Sequence, residues 1–325
     1  MSKAIRIEQF GGPEVLQLVD LEVAPPGPAE ARVRHAAIGV NFIDVYYRTG
    51  LYAQPLPGAI GNEGAGVVEA VGEGVTDLKV GDRVAYATKQ LGAYAEVRNM
   101  PADLLVRVPD AIDLESAAAM MLKGMTVEYL FRRTFPLQGG ETILFHAAAG
   151  GVGLIACQWA KALGVTMIGT AGSDEKAQLA KEAGCTHVIN YKRENFTQRV
   201  RELTNGKGVP VVYDSIGRDT FTGSLDCLAP RGMMVSFGNA SGPVEPFGLQ
   251  ELAARGALYV TRPTLFAYNT DRASFQASAG ALFAMVDGGK IEIAINHRYA
   301  LADAASAHRD LEARNTTGSS ILLPA

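Results

Sequence analysis

Eight residues, His146-Ala147-Ala148-Ala149-Gly150-Gly151-Val152-Gly153, constrain this chain more than any other stretch. An apolar, strand-like run, Thr142-Ile143-Leu144-Phe145, precedes them. A helix-like run over 154–163 follows and stops at Gly164. Strand, glycine turn and helix in that order form the setting in which a backbone passes close to a pyrophosphate. The side chains of such a turn must be small. The helix N-terminus then offers unpaired N–H groups and a partial positive charge to phosphates. The G-x-G-x-x-G pattern is incomplete, because Ala148 stands at its first glycine, followed by Gly150 and Gly153. A plain tight turn is the competing reading, and the flanking strand and helix favour dinucleotide binding.

The 325 residues suffice for two domains, each with its own core. Hydrophobic residues make up 48% and charged residues 20%, the balance of a soluble globular protein. A net charge of −4 with no basic run argues against a nucleic-acid partner. No run of about 18 apolar residues occurs, so no membrane span is expected. The opening Met1-Ser2-Lys3-Ala4-Ile5-Arg6 leads into a strand-like segment and not an apolar leader, which points to the cytoplasm. Cys157, Cys185 and Cys227 lie far apart in apolar surroundings and read as reduced core thiols. No His/Cys cluster has metal-ligand spacing, so no metal site is expected.

The first part of the chain reads as β-rich. Alternating or glycine-closed runs occur at 5–10, 16–19, 31–38, 64–72 and 80–86, separated by turns such as Pro25-Pro26-Gly27-Pro28. This spacing predicts a compact barrel-like domain. Near residue 112 the pattern changes, with helix-like runs at 114–121 and 123–133. Strands are then expected at 142–146, 165–170, 187–190, 210–214, 232–237 and 256–261. Helices are expected at 151–163, 174–183, 194–203, 218–228, 248–254 and 272–288. The alternation predicts an α/β fold, a doubly wound parallel sheet of six strands with helices on both faces. Strand-like 291–295 and 320–323, with a helix near 302–313, are expected to rejoin the first domain. The domains are thus read as 1–120, completed by about 290–325, and 121–289.

In a dinucleotide fold an acid at the end of the second strand bonds the adenosine ribose and repels a 2′-phosphate. Here that end is Thr170-Ala171, followed by Gly172-Ser173-Asp174-Glu175-Lys176. Ala171 takes the acid's place, Lys176 follows within reach of a phosphate, and Tyr191 after the third strand adds a hydroxyl. NADPH is therefore favoured over NADH. Asp174 and Glu175 argue the other way, but as first-turn acids they complement the helix dipole. Later strand ends form a consistent rim: Asp214-Ser215-Ile216-Gly217, Phe237-Gly238-Asn239-Ala240-Ser241-Gly242 and Thr261-Arg262-Pro263.

Further stretches carry a resemblance that covers essentially the whole chain. They are Gly11-Gly12-Pro13-Glu14-Val15-Leu16, Gly39-Val40-Asn41-Phe42-Ile43-Asp44-Val45-Tyr46, Gly61-Asn62-Glu63-Gly64-Ala65-Gly66-Val67-Val68 and Gly81-Asp82-Arg83-Val84. With the glycine turn and Val212-Tyr213-Asp214-Ser215-Ile216-Gly217, they resemble medium-chain dehydrogenase/reductases. More narrowly the chain is similar to the zinc-free NADPH:quinone oxidoreductases related to zeta-crystallin. The resemblance implies a GroES-like catalytic domain and a Rossmann domain. Zinc members place Cys where this chain has Asn41 and His where it has Asn62, and they carry a four-cysteine lobe after the segment matching Tyr86-Ala87-Thr88. Amides in place of thiolate and imidazole do not hold Zn²⁺ tightly. Alcohol oxidation is then disfavoured, while reduction of an electron-poor acceptor remains open.

The resemblance further implies NADPH-dependent reduction of quinones, or of activated C=C bonds in enones and 2-alkenals. An NADPH-binding protein with little turnover is the alternative from another class. By resemblance Asn41, Tyr46, Lys123 and Thr126 lie near the nicotinamide, and Gly150, Gly151 and Val152 at the pyrophosphate. Gly172, Ser173, Lys176 and Tyr191 take the 2′-phosphate and adenosine. Ser215, Gly217, Phe237, Gly238, Asn239, Ser241, Arg262 and Pro263 form the remaining rim, with Arg314 beyond it. Asn41, Asp44, Tyr46 and Tyr52 are the candidate catalytic lining, a tyrosine hydroxyl being able to donate to a developing oxyanion. A homodimer through the sixth strand, near residues 256–260, is the family expectation. Asp44 as a local cap, Glu63 as a buried ion-pair partner, and His146 and Trp159 as packed core residues are the structural alternatives.

Overall fold

The computed structural model describes residues 1–324 and divides into two units. The first comprises Met1–Met125, Asn269–Asp287 and the residues from Ile293 on; the second comprises Thr126–Tyr268 and Gly288–Glu292.

Short, largely apolar runs become the six parallel strands of the second unit. From one edge the order is His187–Asn190, Thr166–Ala171, Thr142–Phe145, Val209–Asp214, Leu228–Ser236 and Tyr259–Thr261. The first strand in sequence lies in the middle, with Leu144 opposite both Ile168 and Val212. The chain therefore winds outward one way and then the other, and ligands of such sheets lie beyond the carboxyl ends of the strands at that switch. Helices Gly151–Leu163, Asp174–Glu182, Phe196–Leu203 and Phe221–Cys227 supply connections. Leu144, Ile168, Val212, Leu225 and Met234 pack in the core, and the three cysteines are free and buried. Trp159 is buried as well.

Two ends depart from the sequence pattern. The fifth strand starts early, at Leu228, and the sixth is only Tyr259–Thr261 and not 256–261. Gly256 and Ala257 both hold positive φ (96° and 57°), so the backbone turns there and joins the sheet late.

In the first unit Glu30–Val40 is the longest strand. It pairs antiparallel with Glu63–Val71, Val97–Pro101 and Ser319–Leu323. Arg83–Ala87 and Val106–Arg107 extend the sheet on one side, and Ile295–Ala300 runs parallel to Ser319–Leu323 on the other. A small sheet of Ser2–Ile7, Gln17–Leu21 and Gly58–Ala59 completes the β-structure. The strand expected at 291–295 instead spans Ile295–Ala300. The main chain of Glu292 is occupied by the Gln158 amide, through bonds of 2.7 and 2.9 Å, which keeps it out of the ladder.

The helix Arg272–Asp287 belongs to the first unit, whereas the sequence pattern groups it with the second. Its Leu282 packs over Gly124, where a Cβ would stand 2.4–2.6 Å from the leucine methyls, so a larger residue there would have to push the leucine side chain aside. Arg272 ion-pairs with Asp77 and Asp103, which fixes its start on the same unit. Residues 114–121 and 123–133 form one helix, Leu114–Tyr129, followed by a single π-type turn, Leu130–Thr134.

His35, on the long strand, is buried with both ring nitrogens engaged. Nδ1 lies 2.6 Å from the Ala95 carbonyl oxygen and Nε2 2.7 Å from the Tyr86 hydroxyl. A carbonyl only accepts, so Nδ1 carries the hydrogen and Nε2 accepts from Tyr86. Burial pulls its pKa down to about 4; the Ala95 bond opposes this shift and the Arg98 guanidinium adds to it. Unfolding therefore takes up a proton at His35 between pH 4 and the free value of 6.5. Stability from the neutral ring is present above that window and lost as pH falls through it. We expect the stability difference between wild type and His35→Gln to shrink by about 1.4 kcal/mol per pH unit on acidification through this range. Urea denaturation series read this slope, and a pH-independent difference would contradict a neutral buried His35.

Candidate active site

In the second unit the glycine turn continues the sheet before it enters the helix. The His146 N–H donates to the Tyr213 carbonyl (3.0 Å) and the Ala148 N–H to the Thr170 carbonyl (2.9 Å). Gly150 is the helix N-cap and has no side chain to cap it. The first intrahelical bond runs from Leu154 N–H to Gly150 O (2.8 Å), so Gly151, Val152 and Gly153 have no intrahelical acceptor for their N–H groups. A Cβ at Gly153 would overlap the carbonyl oxygens of Ala147 and Ala148, so the helix meets its turn too closely for any side chain. The incomplete pattern also finds its reason here. Ala148 is buried, and its methyl lies against Gly169 of the neighbouring strand, where a Cβ would stand 2.6 Å away. The room a glycine would give in the turn is given across the sheet.

The second strand ends at Ala171, as the sequence predicts. Gly172 follows, covered by Tyr191, whose hydroxyl would lie 2.6 Å from a Cβ at that position. Ser173 caps the next helix, its hydroxyl accepting from the Lys176 N–H at 3.2 Å. The Asp174 carboxylate accepts from Asn190 (2.8 Å) and pairs with Arg193 (2.7 Å). That acid is tied to the loop after the third strand.

The rim loops after the fourth and fifth strands are laced together. Phe237 N–H donates to Asp214 O (2.8 Å), Ala240 N–H to Ser215 O (3.1 Å) and Ser241 N–H to Ile216 O (2.8 Å). Gly217 turns the chain with φ of 90°. The Ser241 hydroxyl donates to Ile216 O (2.9 Å), and Arg262 donates to Ser236 O (2.8 Å), with Pro263 next along the chain. Gly150, Gly151, Val152, Gly172, Ser173, Lys176, Tyr191, Ser215, Gly217, Phe237, Gly238, Asn239, Ser241, Arg262 and Pro263 thus all belong to the second unit, as does Thr126.

Asn41, Asp44, Tyr46, Tyr52, Lys123 and Arg314 belong to the first unit. Asn41 begins the helix Phe42–Thr49, on which Asp44 and Tyr46 lie. The Asn41 N–H donates to Asp44 Oδ2 (2.8 Å) and its side-chain amide to Glu63 Oε2 (2.7 Å). Glu63 also accepts from Leu122 N–H (2.7 Å) and pairs with Lys123 at 3.4 Å. Tyr46 is buried, and its ring meets that of Tyr52 edge-on at 5.2 Å; Tyr47 meets Tyr52 at 5.6 Å. Arg314 follows the helix Ala304–Glu312, with φ of 60°.

Asp44 is fully buried, and burial raises its pKa to about 7 against the bonds from Asn41 and Tyr94 that lower it. Both donors meet Oδ2, Tyr94 at 3.0 Å, while Oδ1 has no hydrogen-bond partner. Behind Tyr94 stands His308 (Nε2 to hydroxyl 3.0 Å), then Arg48 (3.2 Å from Nδ1), then Glu312, which Arg48 grips through two bonds of 2.8 and 2.7 Å. Sequence reading singles out none of Tyr94, His308, Arg48 or Glu312. No local pattern marks them, because His308 is 214 residues from Tyr94 and 260 from Arg48.

The positions at which the resemblance places metal ligands in zinc members hold a poor donor set. The Asn41 and Asn62 side-chain nitrogens are hydrogen donors, to Glu63 and to Thr88 O (2.7 Å), and the Glu63 carboxylate faces Lys123. Among the described residues no group of three His, Cys, Asp or Glu is placed to hold a metal ion. These residues do not fit zinc.

A β-rich unit and a six-stranded dinucleotide-type unit are the two halves of a medium-chain dehydrogenase/reductase. The sequence family described as alcohol dehydrogenase GroES-like domain matches residues 27–110, and that described as zinc-binding dehydrogenase matches 151–277. A quinone oxidoreductase of Pseudomonas aeruginosa is 60% identical over the full length of both chains. A 2-haloacrylate reductase of a Burkholderia species is 45% identical, covering 100% of this chain and 99% of its own. The crystal structure of Escherichia coli quinone oxidoreductase complexed with NADPH superposes with a TM-score of 0.98 at 52% identity, covering 99% of this chain and 100% of that one. The chain belongs to the quinone oxidoreductase family of the medium-chain dehydrogenase/reductases.

Gly153→Ala should force the turn off its helix. We expect it to raise the dissociation constant for a dinucleotide by at least about a hundredfold, a loss of roughly 2.7 kcal/mol. Protein fluorescence titration checks this, and binding within threefold of wild type would show that the turn is not the pyrophosphate site.

Proposed function

We propose that this chain is an NADPH:quinone oxidoreductase that works without zinc. The observation carrying this reading is the second unit's anion cradle, with Ala171 and Gly172 where an acid would stand, joined to full-length likeness to quinone oxidoreductases. The residues fit a phosphorylated dinucleotide. Three N–H groups at the start of Gly151–Leu163 face an anion with no competing side chain. Lys176 and Tyr191 take the 2′-phosphate and adenosine, and Ser215, Gly217, Phe237, Gly238, Asn239, Ser241, Arg262, Pro263 and Arg314 complete the cofactor contacts. Asn41, Tyr46, Lys123 and Thr126 serve the nicotinamide. NADPH, when bound, supplies a hydride.

The protein's part is then to position, to exclude water and to supply a proton. Tyr46 and Tyr52, whose rings meet edge-on, offer aromatic contact to a flat acceptor. The Asp44 pKa of about 7 lets it hold a proton at neutral pH, and Oδ1 is the atom free to carry it, since Oδ2 accepts twice. Reduction of a quinone by hydride leaves an oxyanion, which needs that proton. The likeness to a 2-haloacrylate reductase favours one second reading, reduction of an activated C=C bond by the same residues. We further infer a homodimer, through the edge strand Tyr259–Thr261 with its exposed Tyr259, and a cytoplasmic setting in keeping with three free, buried thiols.

Lys176→Ala should weaken NADPH about tenfold to a hundredfold and leave NADH within twofold, the loss of one charge-assisted phosphate contact. Equal weakening of both cofactors would refute the 2′-phosphate assignment. Steady-state rates should favour 1,4-benzoquinone over an alkenal of similar size. A kcat/KM about tenfold or more in favour of the alkenal, roughly 1.4 kcal/mol, would replace quinones with activated alkenes as the substrate class.

A further inference from the structure

We propose that His146 is a positioning residue for the pyrophosphate turn, acting through a directed chain of buried hydrogen bonds that ties Ala147 to Asp214. The proposal rests on the reading of the second unit as the NADPH-binding unit. His146, Thr170, Asp214 and Ser224 are all buried to within 2% of full burial. Asp214 Oδ1 accepts from the N–H groups of Ile216 (2.7 Å) and Gly217 (3.1 Å). Its Oδ2 accepts from the hydroxyls of Thr220 (2.7 Å) and Ser224 (2.9 Å).

From that carboxylate every hydrogen in the chain is assigned. Ser224 has one hydroxyl hydrogen and gives it to Asp214, so toward His146 Nε2, at 2.9 Å, it accepts. The imidazole therefore carries its hydrogen on Nε2, and Nδ1 accepts from the Thr170 hydroxyl at 3.0 Å. The Thr170 oxygen, its own hydrogen spent, accepts the Ala147 N–H at 3.3 Å. Burial lowers the His146 pKa against the pull of Asp214, in keeping with a neutral ring. The Phe196 ring closes the pocket edge-on at 5.0 Å.

Ala147 is the residue the chain ends on, and it holds a left-handed φ of 56° with a side chain, where glycine is usual. Its carbonyl oxygen is one of the two that Gly153 must clear, and the Gly150 N–H donates to it at 3.0 Å. Fixing Ala147 thus fixes where the helix starts and where its three N–H groups point. The other end of the chain fixes Ile216 and Gly217 on the rim. One line of hydrogen bonds sets the two loops in register, across three strands of the sheet.

Thr170→Val removes the hydroxyl at nearly constant shape. We expect it to raise the NADPH dissociation constant about tenfold while 2′-AMP, which has the 2′-phosphate and no pyrophosphate, binds within twofold of wild type. Thr170→Ser, which keeps the hydroxyl, should bind both like wild type. Independently, the ¹⁵N spectrum of wild-type protein without ligand should show His146 neutral with its hydrogen on Nε2, a reading that does not depend on the variant folding. Unchanged NADPH binding in Thr170→Val, equal weakening of NADPH and 2′-AMP, or a hydrogen on Nδ1 would each overturn the proposal. Wild type that binds neither ligand would overturn the NADPH reading itself. Wild type that binds both, with Thr170→Val selectively weakened toward NADPH, supports both.

Discussion

A carboxylate buried at the end of a central strand must be met by hydrogen-bond donors, because its desolvation is otherwise too costly. Asp214 meets this demand with four, two from the backbone of the loop that follows it and two from hydroxyls at Thr220 and Ser224. The requirement dictates local structure. Ile216 and Gly217 must turn their N–H groups back on the strand, which sends Gly217 into a left-handed conformation. The helix Phe221–Cys227 must present Ser224 inward. The loop after Ser236 then bonds onto the carbonyls of residues 214–216 that the turn leaves facing it. The rim of the cofactor unit is in this sense built outward from one side chain.

The first unit solves the same problem from the opposite end. Arg48 is 1% exposed, and a guanidinium can only donate. Its donation to His308 Nδ1 leaves Nε2 to donate to the Tyr94 hydroxyl, which in turn donates to Asp44. Burial, with Arg48 adding to it, holds the His308 pKa down to about 3, so the ring stays neutral and the direction of the chain stays fixed. Arg48 also bonds the Gly11 carbonyl (3.0 Å) and grips Glu312. The helix Ala304–Glu312 thus supplies two partners, His308 and Glu312, to the buried guanidinium on the helix Phe42–Thr49. In one unit an anion anchors a line of neutral groups; in the other a cation does.

What was legible in the sequence is what repeats or is punctuated locally. The apolar runs between residues 142 and 214 gave four of the six parallel strands within a residue, and Gly164 marked the end of the first helix. The end of the second strand at Ala171 is legible because its apolar run stops at Gly172-Ser173. Two kinds of fact were not readable. Periodicity shows that 272–287 is helical but not which core receives its apolar face, a choice made by Gly124 and by the acids that pair with Arg272. The polar networks join residues up to 264 positions apart and carry no local signature. His146 read as a packed residue because nothing beside it announces Ser224, 78 positions on.

Asn41 shows how such a network constrains the chemistry. It spends its backbone N–H on Asp44 and its side-chain amide on Glu63, linking the two buried acids of the first unit. Glu63 is balanced by Lys123, while Asp44 has no cation in direct contact and carries a pKa raised to about 7. A thiolate in place of Asn41 would add a second anion beside Glu63 and remove a donor from it. The pair would then require a further cation, because an unpaired buried charge is strongly destabilising. The neutral amide keeps the balance with side chains alone. Asp44 is outside that balance: the Asn41 backbone N–H, which a cysteine would supply equally, opposes the rise in its pKa, and burial is what raises it.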